Sequence, residues 1–269
     1  MKLLEGKKIS KKILDDLKKK INQQKTKPGL AVVLVGEDKA SETYVRLKEK
    51  AAKKVGIRFF KFKFSKNVSE KEITEKIKEL NADKKIAGII VQLPLPKKFQ
   101  TQKIINSISL SKDVDGFLAQ KNSAALQPVF PGAIIKMIES SKVNLKNKKA
   151  VIIANSKIFG ETMQEALKRK KMESEYVLSK EIKQKINKIQ KADIVISAVG
   201  KINLIKGEMI KKGVIIVDGG IVKKNGKTFG DVDFESAAKK AAFISPVPGG
   251  VGPVTIACLL ENVYLASKR

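Results

Sequence analysis

The sequence predicts an α/β fold with two α/β domains, the second a Rossmann-type parallel sheet. Three observations predict it. Leu30 to Val35 is an unbroken apolar run ended by Gly36, the pattern of a strand buried on both faces of a parallel sheet. Apolar strands then alternate with helix-period segments across residues 30–108, which builds an α/β layer. The same alternation resumes after Pro128 and runs to residue 253, as in a doubly wound dinucleotide-binding sheet.

Taken in order, residues 3–21 read as a helix, because Ile9, Ile13, Leu14, Leu17 and Ile21 fall at helical spacing. Pro28-Gly29 leads into the Leu30–Val35 strand. Asp38 and Ser41 both suit the N-cap of the next helix, and Gly56 is its stop signal. Ile57 to Phe64 is a strand with lysines at 61 and 63. Ser69 to Asn81 is a helix with Ile73, Ile77 and Leu80 on one face, and Ile86 to Val91 is a third strand before Gln92-Leu93-Pro94-Leu95-Pro96. Thr101 to Ile108 is a short helix, and the segment from Asp113 to Leu126 reads as a linker. Beyond it the spacing predicts helices over 132–139, 161–170 and 181–190, and strands over 150–154, 176–178, 193–198, 214–218 and 243–244.

The late stretch Ser245 to Ile256 holds three prolines and three glycines, which fit neither a helix interior nor a central strand. It reads as a rigid loop at a strand end with exposed backbone N–H groups, a floor for a small molecule. The apolar run from Thr255 to Leu265 follows it as a helix.

Composition excludes whole classes of chemistry. The chain of 269 residues has no His, no Trp and one Cys. His-dependent triads and His or thiolate metal sites are therefore excluded, and an acid–base group must be Lys, Asp, Glu, Tyr or Cys. Cys258 lies within an apolar helix pattern, where packing is its role. The formal charge is +29, yet only four of the 56 basic residues are Arg and the lysines are spread over every segment. That favours anionic ligands in general and no specific nucleic acid. No apolar run is long enough to span a bilayer, and Met1 to Lys20 is charged throughout. A cytoplasmic protein with no membrane association is expected.

Several polar groups fall where ligands bind in open parallel sheets, beyond the C-terminal ends of strands. Tyr44 and Lys48 stand four residues apart on one helix face after the first strand, and Gln92 follows the third. Lys48 with a lowered pKa could serve as acid or base, although one lysine among so many is more often a solvated one. Tyr44 could equally be a half-buried packing residue. Asp113 and Asp115 flank Val114, so an extended backbone would point both carboxylates the same way, towards a ligand's N–H groups or simply into a charged turn. Gly160, between a predicted strand and helix, could mark a phosphate-binding helix N-terminus.

Five stretches taken together carry a resemblance: Ser41 to Lys48, Gly88 to Pro96, Lys112 to Gly116, Gly230 to Phe234 and Pro246 to Ile256. In order and spacing the chain resembles the methylenetetrahydrofolate dehydrogenase/methenyltetrahydrofolate cyclohydrolase family. The resemblance implies a folate domain over 1–120 completed by the C-terminal helix 254–269, and an NAD(P)-binding domain over 121–253. It implies a cleft between them, a homodimer, tetrahydrofolate substrates, NADP with NAD as the alternative, and no metal. The activities implied are oxidation of 5,10-methylenetetrahydrofolate and hydrolysis of the methenyl product to 10-formyltetrahydrofolate.

Residue by residue, Lys48 matches the family's catalytic lysine, Tyr44 the residue that stacks on the folate and Gln92 the partner that holds Lys48. Asp115 matches the carboxylate that reads the pterin edge. Leu93, Pro248, Gly249 and Gly250 complete the folate set. Asn155, Ser156, Lys157, Gly160, Ala198, Val199, Gly200, Gly220, Ile221, Gly252 and Thr255 form the expected cofactor set.

This chain departs from the family pattern in its cofactor half. The usual Gly-Arg-Ser is Ala154-Asn155-Ser156, the Val-Gly-x-Pro is Phe159-Gly160-Glu161-Thr162, the Pro-Cys-Thr-Pro is Pro128-Val129-Phe130-Pro131, and the Asp-Val-Gly-Ile is Asp218-Gly219-Gly220-Ile221. Asn155 lacks the Arg fork that would meet a 2′-phosphate, and Lys157 offers only a point charge in its place. These changes leave open a weakened, lost or NAD-shifted dehydrogenase with an intact cyclohydrolase. A basic nucleic-acid-binding protein and a nicotinamide enzyme for another substrate are the further alternatives.

Overall fold

Two separate parallel sheets carry the chain in a computed structural model that describes residues 1–118 and 126–269. The backbone divides into two units, Lys11–Val129 with Ile256–Arg269, and Met1–Ser10 with Phe130–Thr255. Half of the expected linker, residues 119–125, and with it the expected boundary at 120/121 lie outside the described residues.

The first unit is built on β2 (Gly29–Val35), β3 (Arg58–Phe64) and β4 (Gly88–Val91), in the order β3-β2-β4 with all pairs parallel. Central β2 is buried at every position, which is why its sequence shows no alternation. Edge strand β3 alternates instead. Phe60, Phe62 and Phe64 pack on the core of Ile73, Ile77 and Ile89, while Lys61 and Lys63 face solvent and guard the edge.

Helix α1 (Gly6–Asn22) starts in the other unit, and α2 (Lys39–Val55) follows β2. Asp38 caps α2 by accepting from Ser41 N at 2.7 Å, and Gly56 ends it at φ 89°. Helix α3 (Glu70–Ala82) opens on a capping box of Ser69 and Glu72. The one-turn helix α4 (Thr101–Ile105) is shorter than expected.

The second unit's sheet contains β1 (Lys2–Leu3), β5 (Lys149–Ala154), β6 (Glu173–Leu178), β7 (Ile194–Ala198), β8 (Ile215–Asp218) and β11 (Phe243–Ile244). The order is β1-β11-β8-β7-β5-β6, and every pair is parallel. From β5 the chain steps outward to β6 and then crosses back to β7. The topological switch point, where open sheets bind ligands, therefore lies between β5 and β7. The helices here are α5 (Val129–Ser140), α6 (Lys157–Arg169), α7 (Ile186–Lys191) and α8 (Phe234–Ala238), while α9 (Val251–Ala266) begins in this unit and continues from Ile256 in the first. Strands β9 (Val222–Lys224) and β10 (Lys227–Phe229) form an antiparallel hairpin closed by Asn225 and Gly226, both at positive φ.

Four element readings are corrected. Helix α5 begins three residues before the expected start, with Pro131 in its first turn, where a missing N–H costs no helical bond. Helix α9 begins at Val251 for the same reason, with Pro253 in its first turn. The Pro/Gly loop is therefore confined to 245–250. The expected 181–190 helix is a 3-10 turn over Ser179–Glu181 followed by the shorter α7. Helix α6 starts at Lys157, capped by Ser156, so Gly160 lies a full turn inside it. A Cβ at Gly160 would stand 2.6 Å from the Tyr176 ring. The absence of a side chain there lets α6 close on β6, and no phosphate role is needed to explain it.

Candidate active site

In the first unit, three of the predicted side chains meet at the C-terminal edge of the sheet. Lys48 lies three turns into α2, and its Nζ donates to Gln92 Oε1 at 3.0 Å, from the residue just past β4. Gln92 Nε2 donates to Leu93 O at 2.7 Å, which fixes which end of the amide faces the lysine. Burial pushes the Lys48 ammonium below the ordinary lysine range, and the Asp115 carboxylate pulls it back up. Burial likewise raises Asp115, opposed by Lys48 and reinforced by Asp113. Both members of the pair are thus driven towards their neutral forms by burial, while each one's charge favours the charged form of the other. Tyr44, one turn earlier on the same helix, is half-buried, and burial raises its phenol.

Asp113 and Asp115 do not work as a pair of ligand acceptors. Asp113 is buried, and its carboxylate accepts from Gly116 N at 3.0 Å and Leu118 N at 2.7 Å. Its work is to shape the turn that presents Asp115. Further hydrogen bonds hold the same segment. Lys112 O accepts from Ile89 N on β4 at 2.8 Å, and Lys112 Nζ donates to Leu80 O and Asp83 O at 2.9 and 2.7 Å, at the end of α3. Asn262 of α9 donates to Val114 O and Gln127 O, each at 2.9 Å. A Cβ at Gly88 would lie 2.5 Å from Val114 Cγ1, so glycine lets the segment lie against β4.

In the second unit, two buried carboxylates organise the C-terminal edge of the sheet. Asp231 accepts from Ser197 Oγ at 2.8 Å and from Val199, Gly200 and Lys201 N at 2.6, 2.8 and 2.7 Å. Asp218 accepts from Gly220, Asp231 and Val232 N at 2.9, 3.1 and 2.9 Å, while its own N donates to Ser245 Oγ at 2.7 Å. Burial raises Asp218 to about 6, with the neighbouring Asp231 charge adding and the backbone N–H donors opposing. Side chains at Gly220 or Gly230 would collide with these carboxylates, at 2.1 Å from Asp231 Cγ and 2.0 Å from Asp218 Oδ2.

This network bears on the expected cofactor set. The N–H groups of Val199, Gly200 and Gly220 already donate to carboxylates of the chain, and Gly220 is buried. Beside Gly200, at φ +80°, an added Cβ would meet open space. Asn155, Ser156 and Lys157 are exposed between β5 and α6, Ala198 ends β7, and Ile221 is 45% exposed before the hairpin. Gly252 and Thr255 lie in the first turns of α9, where Thr255 Oγ1 donates to Gly252 O at 2.6 Å. Pro248, Gly249 and Gly250 also belong to this unit. Gly249 O accepts from Lys7 N at 3.2 Å, and Gly6 permits α1 to touch Gly250 O, which a Cβ would reach at 1.7 Å.

Sequence reasoning missed the two carboxylates as organisers, although Gly-Asp-Val-Asp-Phe and Asp-Gly-Gly were both in view. It also missed Ser179 and Lys180, which follow β6 beside the end of β5. A count of about 20 residues from the first strand–helix turn would have found them. Among the described residues no group of three or more Cys, Asp or Glu could hold a metal ion, and no helix is long and apolar enough to cross a membrane.

Residues 4–115 match the family model for the tetrahydrofolate dehydrogenase/cyclohydrolase catalytic domain, and residues 128–269 match the model for its NAD(P)-binding domain. The bifunctional protein FolD of Nautilia profundicola is 43% identical over 279 residues, covering 100% of this chain and 98% of that one. The crystal structure of the bifunctional FolD dehydrogenase/cyclohydrolase from Campylobacter jejuni superposes with a TM-score of 0.93 at 39% identity, covering 100% of this chain and 99% of that one. The Trypanosoma brucei enzyme, solved with NADP and an inhibitor, gives 0.91 at 31% identity, covering 98% and 96%. With both family models matched and relatives similar along their whole length, the chain belongs to the tetrahydrofolate dehydrogenase/cyclohydrolase family.

Proposed function

We propose that the chain is a bifunctional enzyme that oxidises 5,10-methylenetetrahydrofolate and hydrolyses the methenyl product to 10-formyltetrahydrofolate, with Lys48 as its proton-transfer group. The observation that carries the mechanism is the desolvated Lys48 amine, oriented by Gln92 at 3.0 Å and charge-coupled to Asp115. Burial lowers the amine's pKa and so enlarges the neutral fraction that a general base requires. Lys48 takes a proton from the water that adds to the amidinium-type carbon. It gives that proton to the departing ring nitrogen and accepts the hydroxyl proton as the formyl carbonyl forms. Asp115 steadies the ammonium between these steps and accepts from the pterin's N–H groups, and Tyr44 stacks on the folate ring.

Hydride transfer asks the protein for orientation and needs no protein base. NADP, when bound, supplies the hydride acceptor. The residues present fit such a dinucleotide: the capped start of α6 and the open space at Gly200 flank the switch point between β5 and β7. NADP is favoured over NAD by the residues after β6. An acid there would read a ribose 2′-hydroxyl, whereas this chain has Ser179 and Lys180. The next acid, Glu181, is engaged by Lys185 Nζ at 2.8 Å. Lys157, exposed on the first turn of α6, adds positive charge. The same reading includes a cytoplasmic homodimer, whose mass light scattering would measure.

The test is a paired assay of wild type and Lys48→Met. Methenyl hydrolysis should fall about 10²- to 10⁴-fold, with NADPH affinity unchanged. Undiminished hydrolysis would remove Lys48 from the mechanism.

A further inference from the structure

Three of the residues that depart from the family pattern meet in one place. Phe130, in the first turn of α5, packs against Phe159, in the first turn of α6, with ring centroids 5.3 Å apart and planes tilted by 41°. The Phe130 ring also lies under Gly219, the residue after β8. A Cβ built there would stand 2.7 Å from Phe130 Cζ, 3.4 Å from Cε2 and 3.2 Å from Ser197 O. Gly219 is not among the glycines at positive φ. Its lack of a side chain therefore answers a steric need and no conformational one. The ring and the glycine are a matched pair: one fills the space that the other leaves.

The cluster is not sealed in the core. Phe130, Phe159 and Gly219 are all only half-buried, so the aromatic pair keeps accessible surface. It sits at the C-terminal edge of a parallel sheet, from the start of α6 after β5 to the end of β8, across the switch point. In this architecture the adenosine ribose is read after the second strand, here β6, and the pyrophosphate lies at the helix that follows the first. The nicotinamide half then falls on the far side, over the ends of β7 and β8, which is where Phe130 and Gly219 stand.

We propose that Phe130, supported by Phe159 and admitted by Gly219, forms an aromatic wall of the NAD(P) site that contacts the nicotinamide half of the dinucleotide. The proposal rests on the cofactor reading above. On this view the departures at 130, 159 and 219 are one coordinated exchange. A flat apolar surface replaces polar and aliphatic side chains, and the cofactor site is rebuilt by it.

The test compares two ligands by calorimetry: NADPH, which has the nicotinamide, and 2′,5′-ADP, which does not. Phe130→Ala and the volume-keeping Phe130→Leu should each weaken NADPH about three- to tenfold, the range of an aromatic contact, and leave 2′,5′-ADP within twofold. Gly219→Val should displace the ring and give the same selective loss, and adding Phe130→Ala to it should cost nothing further. Methenyl hydrolysis, measured alongside, should stay at the wild-type level. Equal loss of both ligands would make the cluster structural packing only and overturn the proposal, as would unchanged NADPH affinity in both Phe130 variants. Failure of the wild type to bind either ligand would overturn the cofactor reading with it.

Discussion

Each unit places two aspartates at the C-terminal edge of its sheet, and the two pairs do opposite things. In the first unit Asp113 is tied to backbone N–H groups, but Asp115 has Lys48 as its charge partner. In the second, Asp218 and Asp231 together accept from six backbone N–H groups and one hydroxyl. A carboxylate facing fixed amides holds a loop still. A carboxylate near a buried titratable amine tunes that amine's protonation. The partner, and not the residue type or its burial, separates architecture from chemistry.

Substituting one acid from each region should split the two roles. Asp115→Asn should lower methenyl hydrolysis about 100-fold and hold the melting temperature near that of wild type. It also removes the charge that raises Lys48, so the acidic limb of the residual pH–rate profile should move to lower pH. Asp231→Ala should do the reverse. It strips acceptors from Ser197 and three buried or part-buried N–H groups, at a cost of roughly 3–5 kcal/mol, or about 10 °C in Tm. Calorimetry with paired hydrolysis assays would read both. A stable Asp231→Ala, or an Asp115→Asn that melts as early, would erase the distinction.

The next contrast is one of pH. Asp218 is raised from 3.8 to about 6, so the folded state holds its proton more tightly than the unfolded chain. Its contribution is complete below the unfolded value and is lost as pH rises through about 6. Across that window the wild type should lose up to about 3 kcal/mol relative to Asp218→Asn, which cannot ionise. The slope against pH carries the test, since the amide also loses acceptor capacity for Val232 N. Parallel stability curves for the two proteins would show that Asp218 does not titrate here.

Much of the first unit could be read directly, because its signals are local. The unbroken apolar β2, the Asp38 cap and the Gly56 stop each act over a few residues. The Lys48–Gln92 contact follows from two strand ends sharing an edge. What escaped was set by distant packing. Gly160 reads like a turn glycine until Tyr176 is laid across it, and Gly219 looks like a lost valine until Phe130 fills the space. Pro131 and Pro253 look like breakers, and only the helix starts around them show that they sit in first turns. The β9–β10 hairpin is the exception among these, since the Asn225-Gly226 turn is a local signal for it.

The smallest expected effect concerns the two helix caps that follow β2 in one sheet and β5 in the other. Asp38 places a carboxylate on the start of α2, with Oδ1 at 2.7 Å from Ser41 N, which satisfies the positive end of that helix internally. Ser156 caps α6 with a neutral hydroxyl, accepting from Phe159 N at 3.3 Å, and leaves the positive end available to a ligand's phosphates. Ser156→Ala should therefore cost about 1 kcal/mol, and no cost at all would place the helix start at Glu161 after all. Ser156→Asp should instead match or slightly exceed wild-type stability, because a charged cap complements the helix end. The same charge repels a pyrophosphate, so NADPH affinity should drop several-fold while methenyl hydrolysis holds. A variant that gained stability and kept full NADPH affinity would move the phosphates away from α6.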